Sequence, residues 1–138
     1  MISEIAALAG SAFVRKNPRA VEVALAELGV QVSAAFFDFY SRYEGPFASD
    51  HSGFQLLDLC VGAPSIVSLT VACREQYAFL ARYLVLTDLL GGGVLVYDAV
   101  SDAVYNVDFE GGERELVAGR LAPGWQSFRE FLAYYVGQ

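Results

Sequence analysis

The chain has 138 residues, the length of one ordinary domain. Hydrophobic residues make up 55% of it, including ten Phe and eight Tyr, which excludes a disordered chain. The formal net charge of −7 opposes nucleic-acid binding, which needs a basic face, and favours a basic partner. We therefore expect a single domain over residues 1–138 that binds no nucleic acid.

The start of the chain and its cysteines indicate the compartment. The segment MISEIAALAG has no cationic region and carries Glu4, so it does not resemble a signal peptide. Cys60 and Cys73 have neither metal-ligand nor redox spacing, which predicts buried free thiols under reducing conditions. No apolar run approaches the ~20 residues of a membrane span. We expect a cytoplasmic protein with no membrane contact.

A weak helical pattern in residues 1–16 is followed by a clearer helix. Asn17 is a good N-cap, Pro18 suits the first helical turn, and Gly29 suits the left-handed position after the last turn. Three basic residues lie together before and within this helix, and they fit a solvated helix edge: Arg15, Lys16 and Arg19.

A second helix is predicted from Ser33, which is placed as its N-cap. Its aromatic residues recur at helical spacing and predict a face packed in the core. These residues are Phe36, Phe37, Phe39, Tyr40 and Tyr43. Gly45 and Pro46 are expected to end the helix.

The next part of the chain alternates between loop, strand and helix. Residues 47–53 are polar and predict a loop, whereas residues 54–59 predict a strand that ends at the break in residues 62–64. A helix follows, and two residues are open candidates for its N-cap: Ser65 and Ser68.

The segment 82–112 is predicted to form the centre of the fold. It contains three apolar runs separated by a Gly triplet and a polar turn: Tyr83–Thr87, Val94–Tyr97 and Ala103–Phe109. Such runs predict short strands, and the second and third are close enough for an antiparallel hairpin. The fold class that follows is α+β, with a mainly antiparallel sheet (central meander 83–109) flanked by helices.

The last part of the chain predicts one more strand and a closing helix. Residues 114–118 are interpreted as a strand after a glycine turn. A wide apolar stripe then predicts a helix that ends at Gly137. The stripe consists of Trp125, Phe128, Phe131, Leu132, Tyr135 and Val136.

Catalytic and metal-binding patterns are weak in this sequence. His51 has Asp50 and Ser52 as neighbours, but adjacent loop residues rarely face one another as a catalytic triad requires. The Gly triplet 91–93 precedes a strand, whereas a phosphate cradle needs a helix there. The carboxylates do not follow the spacing of a calcium loop. We expect no catalytic residue, cofactor or metal site, and an unrecognised hydrolase is the weaker alternative.

Acidic residues are concentrated between residues 98 and 115, where Arg114 is the single basic residue. A turn-rich segment of this charge is predicted to expose its carboxylates and to attract a cationic partner. The candidate partner-binding residues are Asp98, Asp102, Asp108, Glu110, Glu113 and Glu115.

Three segments in this order resemble the SUKH superfamily, the Smi/Knr-type domain. They are LGVQVSAAFFDFYSRYEGPF, YLVLTDLLGGGVLVYDAVSDAVYNVDFE and WQSFREFLAYY, and they cover roughly residues 25–136. The most specific part is the Gly-Gly pair followed by Tyr97-Asp98, Val104-Tyr105 and Asp108. Three positions depart from the family pattern: Ser33 replaces a Pro, Glu44 an Asn, and Asp102 a Gly.

The resemblance implies an α+β domain without catalytic activity. Bacterial members of the family are widely encoded beside secreted toxins and resemble immunity proteins, whereas fungal members resemble regulators of cell-wall assembly. For this chain it implies an immunity protein that binds and neutralises a cognate, basic toxin domain. The alternative is a regulatory or scaffold domain that binds a peptide or a small ligand in cell-wall-related signalling.

Overall fold

The computed structural model describes residues 14–137, which form an α+β fold of five helices and two small antiparallel sheets. The helices are α1 (Arg19–Leu28), α2 (Ala34–Arg42), α3 (Ile66–Tyr77), α4 (Gly112–Val117) and α5 (Phe128–Val136). The strands are β1 (Phe47–Ala48), β2 (Gln55–Leu56), β3 (Tyr83–Val85), β4 (Gly93–Asp98) and β5 (Val104–Asp108). None of these helices is long and apolar enough to cross a membrane. The predicted fold class is confirmed, while most of the helical pattern in residues 1–16 lies outside the described residues.

The central sheet is the predicted meander, with strand order β3-β4-β5 and antiparallel pairing throughout. Successive side chains of a strand point to opposite faces. On β4, Leu95 and Tyr97 therefore join the larger core cluster, whereas Val94 and Val96 join a second cluster on the other face. Both faces are covered, which explains why this stretch is a nearly continuous apolar run in the sequence.

Helix α2 begins at its predicted N-cap, Ser33, whereas the N-cap of α1 is Pro18, one residue after the predicted Asn17. The Asn17 side chain accepts the N–H of Arg19 at 3.2 Å, and the Ser33 hydroxyl accepts the N–H of Phe36 at 3.2 Å. Gly29 ends α1 with φ at +71°, a conformation that glycine adopts without steric cost. Local sequence signals thus set the ends of α1 and the start of α2.

Helix α3 uses both of its candidate caps. Ser65 is the N-cap, its hydroxyl accepts the N–H of Ser68 at 3.2 Å, and the Ser68 hydroxyl accepts the N–H of Ser65 at 2.8 Å. This reciprocal capping box satisfies two backbone N–H groups that the helix itself leaves unpaired. Of the two candidates, Ser65 is therefore the N-cap, and Ser68 is its partner in the capping box.

The predictions for residues 47–53 and 54–59 are only partly right. Phe47 is buried and begins β1, so the supposed polar loop starts with a core strand residue. The predicted strand 54–59 is reduced to the two residues of β2. The reason is that the N–H of Leu57 leaves β1 and donates to the carbonyl of Leu86 at 3.0 Å, next to the central sheet.

The strand predicted for residues 114–118 is wrong, because these residues lie in or directly after α4. The Asp108 carboxylate accepts the N–H of Gly112 at 3.2 Å and so holds the start of the helix. Gly111 has φ at +127°, which turns the chain out of β5. Leu116 then packs its buried side chain in the second core cluster.

The closing helix α5 is confirmed with one exception. Phe128, Phe131 and Tyr135 are fully buried on its inner face, and Gly137 ends it with φ at +88°. Trp125 precedes the helix and forms a β-bridge with Val104 instead.

Candidate functional site

The six carboxylates predicted to meet a partner do not form one exposed rim. Three of them accept hydrogen bonds that hold the chain in place: Asp98, Asp102 and Asp108. The other three lie at the turn before α4 or on α4 itself: Glu110, Glu113 and Glu115. Of the first three, Asp98 is buried and Asp102 half-buried, whereas Asp108 is exposed and so remains accessible to a partner while it holds the chain.

Asp98 is buried, which corrects the prediction that it is exposed. Its oxygens accept from the Arg82 guanidinium at 2.8 and 2.7 Å, from the Val100 N–H at 2.9 Å and from the Ser101 hydroxyl at 2.8 Å. The turn after β4 folds back over the carboxylate and brings Val100 and Ser101 to it. Arg82 directly precedes β3, the strand beside β4, and lies outside the segment 98–115, so counting charges within that segment missed the partner.

The pKa of Asp98 is lowered from its usual value of 3.8. Burial acts to raise this pKa, but the hydrogen bonds from Arg82, Val100 and Ser101 outweigh the burial because they stabilise the ionised form. A carboxylate with a lowered folded-state pKa stabilises the fold above its unfolded-state pKa. That stability is lost as the pH falls through the folded-state value.

Asp98→Asn is therefore expected to lower the free energy of unfolding by about 1.5–3 kcal/mol near neutral pH, the range for hydrogen bonds to charged groups. The Arg82 side chain is 36% exposed, and solvent screening places the loss towards the lower end. Urea unfolding should show that the difference in free energy of unfolding between parent and variant becomes smaller as the pH falls below 3.8. A difference of constant size from neutral to acid pH would contradict an ionised Asp98 in the fold.

Asp102 connects the hairpin turn to α5. It has φ at +71°, a left-handed conformation that Asp tolerates better than most residues. Its carboxylate accepts the Tyr97 hydroxyl at 2.9 Å and the N–H of Phe128 at 3.4 Å. Burial raises the pKa of Tyr97 to about 12, so this hydroxyl keeps its proton and donates. Asp102 is thus a structural residue as well.

On α4, two of the glutamates are engaged locally. The Glu113 carboxylate accepts the N–H of Gly111 at 3.1 Å. Glu115 forms an ion pair with Arg120, at 2.9 and 3.1 Å, on the protein surface. Since Arg120 neutralises Glu115, Glu115 contributes little to attraction of a partner.

The carboxylates that stay available lie at one end of the central sheet, where the β3–β4 loop meets the end of β5. The N–H of Phe109 donates to the carbonyl of Gly92 at 3.1 Å and joins the two segments. The exposed residues of these two segments are acidic, apolar or amide side chains, and we name this set the acidic end of the sheet: Asp88, Leu89, Leu90, Asn106, Asp108 and Glu110. Within residues 14–137 its three carboxylates form no ion pair.

A shallow depression of about 230 Å³ lies at the acidic end of the sheet. It is lined in part by Leu90, Gly93, Leu95 and Asn106. A Cβ atom on Gly93 would stand 2.5 Å from the carbonyl oxygen of Val107, so glycine lets β4 and β5 approach closely here. The volume is below the usual range for a small-molecule pocket and suits a single side chain.

Arg15 was assigned to a solvated helix edge, and this assignment is wrong. Its side chain is fully buried and pairs with the equally buried Asp58, with Nη2 and Oδ1 2.5 Å apart. The guanidinium also donates to the carbonyls of Tyr40 and Tyr43. Lys16 remains exposed, so the three basic residues do not act as one patch.

Asp58 holds a second set of contacts around this pair. Its carboxylate accepts the N–H groups of Gly45 at 2.9 Å, Cys60 at 3.1 Å and Val61 at 2.9 Å. The sequence carried a signal for it, because Asp58 interrupts an apolar run, and a charge at such a position is usually paired. The position of its partner 43 residues earlier had no local signal.

The cysteines and the histidine occupy structural or surface positions. Cys73 is buried as predicted, Cys60 is half-buried, and burial raises the pKa of both thiols. His51 is exposed, and the Ser52 hydroxyl donates to the carbonyl of Tyr135 at 2.7 Å rather than to an imidazole. Across residues 14–137, no three His, Cys, Asp or Glu side chains are grouped to hold a metal ion.

A scan against protein-family models gives no match for this chain, and a search of curated proteins finds no similar sequence. The SUKH resemblance accordingly stays a prediction from the three motifs, and its functional consequences are proposals.

Proposed function

We propose that this protein is a non-enzymatic immunity protein that binds and neutralises a cationic toxin domain. The observation that supports this most is the acidic end of the sheet. There Asp88, Asp108 and Glu110 form no ion pair within residues 14–137, next to the exposed Leu89 and Leu90. Like charges at one end of a sheet repel each other, and a cationic partner would relieve that repulsion.

The mechanism is stoichiometric occlusion. The net charge of −7 attracts a basic domain from a distance, and the acidic end of the sheet orients it on arrival. Leu89, which is 62% exposed, then supplies apolar surface that loses water on contact. A partner bound in this way has its active site or its substrate groove covered, without any chemical step by this protein.

The structural use of the reactive groups supports binding over catalysis. Asp98 and Asp102 are committed to the hairpin turn, and Ser52 to the carbonyl of Tyr135. Raised thiol pKa values keep Cys60 and Cys73 in the less nucleophilic protonated form. Each of these groups thus has a structural explanation that requires no catalytic role.

The second candidate is a regulatory or scaffold domain that binds a peptide. The shallow depression beside Leu90 favours it, because its volume suits one peptide side chain better than a whole small ligand. The genes next to this one separate the two proposals: a toxin gene supports immunity, whereas a signalling or cell-wall operon supports regulation.

The charge of the acidic end can be reversed without touching the fold. Asp88 and Glu110 are exposed, and in the described part of the chain their carboxylates accept a single hydrogen bond, from the N–H of Leu89 to Asp88. With the product of the adjacent toxin gene as partner, Asp88→Lys with Glu110→Lys is expected to slow association about tenfold at low salt. Charges at an interface rim act mainly on the association rate. Surface plasmon resonance across a series of salt concentrations measures the association rate of parent and variant.

The matched control is Glu27→Lys with Asp38→Lys, on the exposed faces of α1 and α2. Each pair replaces two negative charges by two positive ones and moves the formal net charge from −7 to −3. The control should keep most of the association rate because its sites lie on other elements. Equal slowing by both pairs would show that only total charge matters. Failure of the parent protein to bind or to protect cells would refute the immunity proposal itself.

A further inference from the structure

Strand β5 is an edge strand of the central sheet, and among residues 14–137 only its first residue, Val104, has a hydrogen-bonded partner on the outer side. The N–H of Val104 donates to the carbonyl of Trp125 at 3.0 Å, and the N–H of Trp125 donates back at 3.1 Å. In an antiparallel strand, every second residue directs its backbone groups to the same side. The N–H and C=O groups of Asn106 and Asp108 therefore point to the outer side too.

The pairing with β4 leads to the same conclusion. Leu95 and Gly93 stand opposite Asn106 and Asp108. Both direct their carbonyls away from β5, since Leu95 accepts from Leu86 at 2.8 Å and Gly93 from Leu90 at 2.7 Å. Asn106 and Asp108 thus lie at positions without hydrogen bonds to β4.

The outer backbone groups of Asn106 and Asp108 have no partner within residues 14–137. The segment that reaches Val104 does not continue along the edge, because Pro123 lacks the N–H that the next strand pair would need. Both residues are exposed. This short edge is consequently open to an added strand.

We propose that an extended segment of a cationic partner adds to the open edge of β5 as a further antiparallel or parallel strand. This inference rests on the proposed binding function and names the way the partner docks. One apolar side chain of the segment enters the depression beside Leu90 and Leu95. Lys or Arg side chains next to it meet the carboxylates of Asp108 and Glu110. Main-chain hydrogen bonds between the segment and β5 then provide affinity, while the depression and the two carboxylates provide selectivity.

The charge argues against a second copy of this chain as the occupant. Two copies joined edge to edge would bring the acidic end of one sheet next to that of the other, and each copy carries a net charge of −7. Like charges across paired strands are destabilising. A basic segment has the opposite sign and fits the same backbone pattern.

A pair of variants at Asn106 tests the edge directly. Asn106→Pro removes the outward N–H, and proline is tolerated at an edge position whose N–H is not bonded to the neighbouring strand. Asn106→Ser removes the same side chain but keeps the N–H. Thermal unfolding of both variants checks that the fold survives. Leu90→Gln, which removes apolar surface from the depression without adding a charge, serves as a second variant if Asn106→Pro does not fold.

The probe is a blocked six-residue peptide of alternating Lys and Val, with alternating Glu and Val as its charge control. In NMR titrations of the intact protein we expect the basic peptide to shift the amides of Asn106 and Asp108 most. Asn106→Pro and Leu90→Gln should weaken binding about tenfold or more, a difference of roughly 1.4 kcal/mol, whereas Asn106→Ser should stay near the parent. Equal binding by Asn106→Pro, shifts spread over the acidic residues of α1, or concentration-dependent dimerisation through β5 would each overturn the proposal.

This result is separable from the immunity proposal. If the parent protects cells against its adjacent toxin and Asn106→Pro protects equally, immunity stands and docking at the edge is refuted. If the parent binds the basic peptide at β5 but gives no protection, the edge site stands and the immunity function is refuted.

Discussion

Asp58→Ala is expected to lower the free energy of unfolding by about 3–5 kcal/mol, the loss found when one partner of a buried ion pair is removed. The variant would leave the Arg15 guanidinium, which is fully buried, without its counter-charge. It would also leave the N–H groups of Gly45, Cys60 and Val61 without their acceptor. Because a domain is stable by only about 5–15 kcal/mol, much of the variant should be unfolded in mild denaturant.

Chemical denaturation of the parent and the variant measures this loss. Asp50→Ala, at an exposed site in the neighbouring loop, is the control and should change stability by less than about 0.5 kcal/mol. Arg15→Met combined with Asp58→Ala should recover part of the loss, since it no longer buries an uncompensated charge. The recovery stays incomplete because the three N–H groups still lack their acceptor. If Asp58→Ala and Asp50→Ala are equally stable, the pair is not buried.

The sequence predicted those parts of the fold that are encoded locally. The cap at Ser33 and the turn glycine at Gly29 act over three or four residues, so their patterns can be found without knowing the fold. The meander was also predicted because its strands follow one another with short turns. The α4 prediction failed because the helix depends on a contact from Asp108 to Gly112 that composition does not reveal.

Long-range pairing was beyond the sequence for a physical reason. Arg15 and Asp58 are 43 residues apart, and nothing near either residue specifies the other. Likewise, a charge count treats Asp98 and Glu110 as equivalent, although Asp98 accepts five hydrogen bonds and Glu110 is exposed. The backbone conformation of the hairpin turn decides between these two roles.

The two ends of the central sheet therefore use their carboxylates differently. At the end with the β4–β5 turn, Asp98 accepts a backbone N–H of the turn and Asp102 accepts the N–H of Phe128 at the start of α5. At the opposite end, Asp88 and Glu110 are available to solvent. A charge reversal at Asp102 would disturb the fold and could not report on binding. Tests of partner recognition belong at the acidic end of the sheet.

Phe36→Ala is expected to lower the free energy of unfolding by about 3–5 kcal/mol, the range for a large aromatic side chain removed from a core. The Phe36 ring is fully buried and lies at the junction of α2, β4 and α5. Its centroid is 4.5 Å from that of Tyr97, 4.8 Å from Tyr40 and 4.9 Å from Phe128. Truncation leaves a cavity that three rings from three elements cannot all move to fill.

Phe37→Ala is the matched control, because it removes the same side chain from the next position of the same helix. Phe37 is only half-buried at the edge of the core, so its loss should be clearly smaller. Thermal unfolding should place the Tm of Phe36→Ala lower by on the order of 10–20 °C. Equal Tm values for the two variants would mean that α2 does not direct Phe36 towards the sheet. The aromatic face of α2 would then be available to a partner, and the acidic end of the sheet would have a competing candidate surface.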